Sequence, residues 1–80
     1  MAEREIREDD PRPVYRQLAD YLREDIEEGR LQPGVRIPSE TTLTQTYGVA
    51  RETARKAVAV LRDAGLIETT HGRGSFVKRG

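Results

Sequence analysis

A mainly α fold, three helices closed by a small β-hairpin, is what this 80-residue sequence predicts. Three observations carry the expectation. Apolar residues recur at spacings of three and four in the first and the last of three helical segments. A glycine-containing turn, Tyr47-Gly48-Val49-Ala50, separates the second segment from the third. Two short β-type runs then flank a glycine-rich tip, His71-Gly72-Arg73-Gly74.

Each element has a local reason. Residues 1–10, MAEREIREDD, are nearly all charged, with Ile6 the large apolar exception, and read as a flexible leader. Pro11 and Pro13 punctuate, and the domain proper is expected over 11–78, with 79–80 as terminus or start of a linker. In the first helix Tyr15, Leu18, Ala19, Leu22 and Ile26 form one apolar stripe. Asp20, Arg23, Glu24 and Glu27 lie opposite, and Gly29 stops the helix. Pro33-Gly34 marks a turn, and Val35 and Ile37 alternate around Arg36 as in a very short strand.

The second helix is expected over about 39–46. Ser39 caps it, Glu40 complements its dipole, and Leu43 is its main core residue. Thr42 stands where a full capping box has an acid, so the box is incomplete. The third helix starts near Ala50 or Arg51. Ala54, Ala57, Val58 and Leu61 make its apolar stripe, and Gly65 ends it. Leu66–Thr69 and Ser75–Lys78 read as the two strands. Two helices joined by a short glycine-containing turn are a helix-turn-helix, and a basic hairpin after them makes it a winged helix.

Composition narrows the function. Apolar residues make up 35% of the chain, enough for one modest core but not for a core and a roomy substrate cavity. Without cysteine there is no disulfide or thiolate metal site, and a single histidine offers no metal cage. No apolar run approaches a membrane span of roughly 20 residues, so a soluble cytoplasmic protein is expected. Two serines share the one histidine, and no phosphate-cradling glycine loop follows a strand. Catalysis, a cofactor and a metal are therefore not expected.

The formal net charge of zero hides an asymmetry. Residues 1–28 carry ten acidic and five basic side chains, and residues 29–80 carry nine basic and four acidic. This asymmetry is a reason to look for a polyanion partner on the basic part, although charge alone favours ordinary solvated surface charge. The third helix presents Arg51, Glu52, Arg55, Lys56 and Arg62, and Arg51 and Arg55, four apart, share a face at its N-terminal end. That end of the second helix in a helix-turn-helix enters the major groove, where the arginine fork matches guanine O6 and N7. At the hairpin tip His71, Gly72 and Arg73 suit a phosphate backbone or a minor groove. Arg36, Ser39, Thr41 and Thr42 surround a helix N-terminus, where donors meet a phosphate.

At this point the residues resemble a family. Pro13-Val14-Tyr15, Leu18-Ala19, Leu22-Arg23, Ile26 and Gly29 are similar to the first helix of the GntR family of bacterial transcription regulators. Pro33-Gly34, Arg36-Ile37-Pro38-Ser39-Glu40 and Leu43 continue the likeness. So do Gly48-Val49-Ala50-Arg51-Glu52-Thr53-Ala54-Arg55-Lys56-Ala57 and Gly72-Arg73-Gly74-Ser75-Phe76-Val77. The resemblance covers about residues 13–77. It implies a DNA-binding domain that reads a palindromic operator of double-stranded DNA as a homodimer, most often for repression. It implies base contacts from Arg51 and Arg55. It implies backbone or groove contacts from Arg36, Ser39, Thr41, Thr53, Lys56, His71, Gly72 and Arg73, with Glu40 orienting a neighbouring arginine.

Three positions depart from the family pattern. Ala50 replaces the usual capping Ser or Thr, Thr41 stands where many members have arginine, and Ala54 replaces a larger apolar residue. Family members usually continue into a domain that binds a small metabolite and supplies most of the dimer interface. The expectation here is an excised operator reader, with a minimal single-domain protein as the alternative, weakly dimeric or monomeric alone and with no small-molecule site. Two rivals are a nonspecific architectural DNA binder and a winged helix that packs on a partner protein. The paired arginines argue against the first, and the basic face against the second.

Overall fold

The structure, a computed structural model, describes residues 4–79. Three helices, α1 (Val14–Glu27), α2 (Glu40–Tyr47) and α3 (Arg51–Asp63), precede two strands, β1 (Ile67–Thr70) and β2 (Gly74–Val77). The strands pair antiparallel, with Ile67 opposite Val77 and Thr70 opposite Gly74. The expected strand at Val35–Ile37 is realised as a single bridge from Arg36 to Phe76. Its flanks bond to β2 as well. Ile37 N–H donates to Ser75 O at 2.9 Å and Val77 N–H to Val35 O at 2.8 Å. The wing is thereby tied to the segment that leads into α2.

One core joins all five elements. Leu18, Ala19 and Leu22 of α1, Leu43 of α2, and Ala54, Ala57 and Leu61 of α3 are buried with Ile37, Ile67 and Val77. Full burial of a leucine side chain contributes about 1.5–3 kcal/mol. The distribution matters for function, because Leu43 is the one buried residue of α2. Ala54 and Ala57 are completely buried, so their small side chains bring α3 close against α1.

The helix ends follow the sequence. Ser39 lies just outside α2, and its Oγ accepts from Thr42 N–H at 3.1 Å. Gly48 ends α2 with φ +68°, a conformation that L side chains rarely adopt, so the turn into α3 depends on glycine there. Ala50 precedes α3 with an extended backbone and supplies no side-chain cap.

The leader departs from expectation. Residues 4–7 lie against α1, and residues 1–3 of the expected leader lie outside the described residues. Gln17, fully buried, accepts from Arg7 N–H at 2.8 Å and donates to Arg7 O at 2.8 Å and Arg12 O at 3.0 Å. Tyr21 OH donates to Glu5 O at 2.7 Å, and Ile6 packs against the core. Polar side chains of α1 thus satisfy the backbone of a charged segment that could not bury itself through apolar residues.

Candidate nucleic-acid interface

The first turn of α2 lies against the first turns of α3. Arg51 opens α3, and its Nη2 donates to Thr41 Oγ1 at 3.5 Å. Arg55, one turn on, lies with Nε 3.7 Å from Glu40 Oε2. Both arginines are exposed. They are about 40° apart around the helix at 3.6 residues per turn, and each is steadied by a residue of α2. An exposed pair at this distance is weak, and its effect is on direction more than on stability.

The wing approaches the same side. An open groove of about 460 Å³ is lined by Arg36, Ser39 and Glu40 from one wall and by His71, Gly72 and Arg73 from the other. Arg36 lies against the wing itself. A Cβ at Gly74 would meet Arg36 Nε at 2.7 Å, so glycine is what lets the guanidinium settle over the β2 backbone. The Ser39 hydroxyl is already engaged in capping, accepting from Thr42 N–H and donating to Thr42 Oγ1 at 3.1 Å. His71, Gly72 and Arg73 are exposed at the tip, where Arg73 N–H closes the turn on Thr70 O at 3.0 Å.

The structure does not bring every expected residue to this face. Lys56 follows Arg55 by about 100° around α3, and its Nζ lies 5.8 Å from the centre of the Tyr15 ring on α1. It sits on the other flank of the helix from the two arginines. Thr53 is half-buried beside the turn. Conversely, Arg62 lies on the arginine flank and donates through Nη1 to Thr69 Oγ1 at 3.4 Å, linking α3 to the wing. Its place was legible from helical spacing alone, since 51, 55 and 62 fall on one side of a 3.6-residue helix.

Charge separates in space as well as in sequence. Arg4, Arg7, Arg12, Arg23 and Arg30 each pair with a carboxylate at 2.7 to 3.2 Å on the α1 side. Among the described residues, the ion pairs on the α3 side come down to one, Arg55 with Glu40. These five arginines are thus internally neutralised, whereas Arg36, Arg51 and Arg73 carry no ion pair among the described residues and are left for an external anion.

Residues 14–77 match the family described as bacterial regulatory proteins, gntR family. The chain belongs to that family. It is 42% identical over 67 residues to the mannosyl-D-glycerate transport/metabolism system repressor MngR of Escherichia coli (strain K12), covering 84% of this chain and 28% of MngR. It is 36% identical over 74 residues to the transcriptional repressor NagR of Bacillus subtilis (strain 168), covering 92% of this chain and 30% of NagR. The chain spans less than a third of the length of either repressor. The fold is also that of AraR(DBD) in complex with operator ORE1, with TM-score 0.80 and 38% identity over 82% of this chain and 80% of that one. The winged helix expected from the sequence is therefore the GntR-family winged helix.

Two of this GntR-family chain's departures from the family pattern can be placed. Ala50 leaves the first amides of α3 without a side-chain partner. Thr41 contributes a hydroxyl to Arg51 in place of a further positive charge.

Proposed function

We propose that this chain binds double-stranded DNA sequence-specifically, as the operator-reading domain of a bacterial transcriptional repressor acting in the cytoplasm. The observation that carries the reading is the pairing of Arg51 and Arg55 at the exposed N-terminal end of α3, on the side shared with the wing tip. In this reading the first turns of α3 enter the major groove. Arg51 and Arg55 present their forks to guanine edges, each good pair contributing about 1–3 kcal/mol of discrimination. Arg36 and the α2 N-terminus lie along phosphates, and His71–Arg73 reach the backbone or the minor groove beside the read bases.

MngR and NagR are repressors, and AraR(DBD) is bound to an operator, which supports carrying the same work to this chain. Two copies on a palindrome would convert two modest half-site affinities into one high affinity. The reading needs no catalysis, cofactor or metal.

Selection from a randomised duplex pool at near-physiological salt, followed by sequencing, tests it. A two-fold symmetric motif is expected, and its half-site spacing gives the dimer geometry. Salt-sensitive binding with no enriched motif would refute sequence-specific reading.

A further inference from the structure

We infer that Arg4 is a positioning residue for DNA reading, which ties the segment ahead of α1 to the last residue of α2 and so sets the entry to the helix-turn-helix turn. One guanidinium reaches four acceptors. Its Nη1 donates to Tyr21 O at 2.8 Å and to Glu24 Oε1 at 3.3 Å. Its Nη2 donates to Asp25 Oδ2 at 2.8 Å and to the Tyr47 hydroxyl at 3.2 Å. The group also lies 5.1 Å above the Tyr21 ring, which stacks on Tyr47 with centroids 5.9 Å apart and planes at 17°. Asp25 is fixed from its other side by Arg30 Nε at 2.7 Å. Arg4, with its side chain 28% exposed, is thus the centre of a built cluster, not a free surface cation.

The cluster acts on α2 through its C-terminal residue. Leu43 is the one buried residue of this helix, which also packs on α3, and Tyr47 is half-buried against the core at its far end. Tyr47, the last residue of α2, supplies the second anchor, and it directly precedes Gly48, whose positive φ begins the turn. Burial pushes the Tyr47 hydroxyl pKa up, so the group stays protonated and accepts from Arg4 as a neutral phenol. At the other end of the same helix stand Glu40 and Thr41, which touch Arg55 and Arg51. A rotation of α2 therefore moves the partners of both arginines. Residue 4 lies ahead of the stretch matched by the family, 14–77.

The inference rests on the DNA reading proposed above, and its test separates the two. The full chain and its Arg4→Ala and Tyr47→Phe variants are compared at a temperature where circular dichroism shows all three folded. The probes are the duplex enriched in the selection and a scrambled duplex of the same base composition. Arg4→Ala is expected to lower the ratio of the two affinities about three- to tenfold, with binding to the scrambled duplex unchanged. Tyr47→Phe, which keeps the stack and loses one acceptor, is expected to shift it less in the same direction. In the DNA-free protein, amide exchange at Gly48, bonded to Thr44 O, should accelerate in Arg4→Ala while Val77, bonded to Val35 O, stays as it was. A wild-type chain that discriminates, with both variants discriminating equally, overturns the role of Arg4. So does exchange that accelerates equally at Gly48 and Val77, which marks a general loss of stability. A wild-type chain that does not discriminate between the duplexes overturns the DNA reading and this role with it.

Discussion

The Glu40 carboxylate stands 3.7 Å from the Arg55 guanidinium, across the turn that joins α2 to α3. Glu40 sits in the first turn of α2, where it also complements the helix dipole. An acid facing a polyanion lowers affinity for every DNA sequence alike, so its presence here points to a gain in direction for Arg55. Glu40→Gln is expected to raise binding to scrambled duplex and to relax discrimination at the base pair proposed for Arg55. Its cost in stability should stay below about 1 kcal/mol, the range of an exposed pair. Titration of the variant against matched and scrambled duplexes checks both parts, and a sharper preference would contradict the account.

Ala50 is a stability defect that one atom repairs. Its backbone is already extended, as a capping residue requires, and Ser in its place can accept from Thr53 N–H. Ala50→Ser is expected to stabilise the domain by about 1 kcal/mol. The urea midpoint measures this directly, and a fall in the midpoint would show that the hydroxyl is not accommodated.

Gln17 is the polar member of the buried set, and all its bonds go to backbone groups ahead of α1, at Arg7 and Arg12. Gln17→Leu keeps most of the volume but leaves the Arg7 N–H and the carbonyls of Arg7 and Arg12 without partners. The expected loss is about 1–3 kcal/mol, the penalty for a polar group left unsatisfied. Equilibrium urea unfolding decides it, and a change below about 0.5 kcal/mol, the range of ordinary surface substitutions, would mean that water replaces the amide without cost.

Acid should loosen the leader before the rest of the fold. A side-chain hydrogen bond from Arg12, helped by its backbone N–H, brings the Asp10 carboxyl down to about 2. Burial pushes Asp25 up, but the bonds from Arg4 and Arg30 outweigh it and hold its carboxyl below the usual range. A carboxyl with a lowered folded pKa stabilises the native state above its unfolded value of about 4 and loses that contribution as pH falls through the folded value. Destabilisation is therefore expected to set in below about pH 4 and to deepen toward pH 2. Unfolding midpoints measured across this window should fall less steeply in Asp25→Asn than in the wild type, and equal slopes would contradict the assignment.

Local pattern accounts for what the sequence made legible. The stripe Leu18, Ala19, Leu22 and the stripe Ala54, Ala57, Leu61 announced α1 and α3, because helical spacing records burial one turn at a time. Ser39 and Gly48 marked the ends of α2 by chemistry that acts within a few residues. The Arg4 cluster left no such trace, since it joins positions 4, 25 and 47 through charges that look like ordinary surface residues in the sequence. Lys56 is a different case. Its angle around α3 already placed it away from Arg51 and Arg55, and grouping basic residues by proximity along the chain obscured that. Ser39, named both as a cap and for DNA, is found with its hydroxyl engaged by Thr42 on both counts, as acceptor from Thr42 N–H and donor to Thr42 Oγ1.

The most direct test of the central claim is the base-preference profile of Arg55→Ala beside that of the wild type. Affinities for every single-base variant of the selected duplex are measured at one salt concentration, with Arg73→Ala as the comparison. The account predicts that Arg55→Ala loses about 1–3 kcal/mol of preference at one base pair and at its symmetry mate, with the other positions unchanged. Arg73→Ala should weaken binding evenly across all variants. An Arg55→Ala profile with the same shape as the wild type would contradict the assignment of α3 as the reading helix.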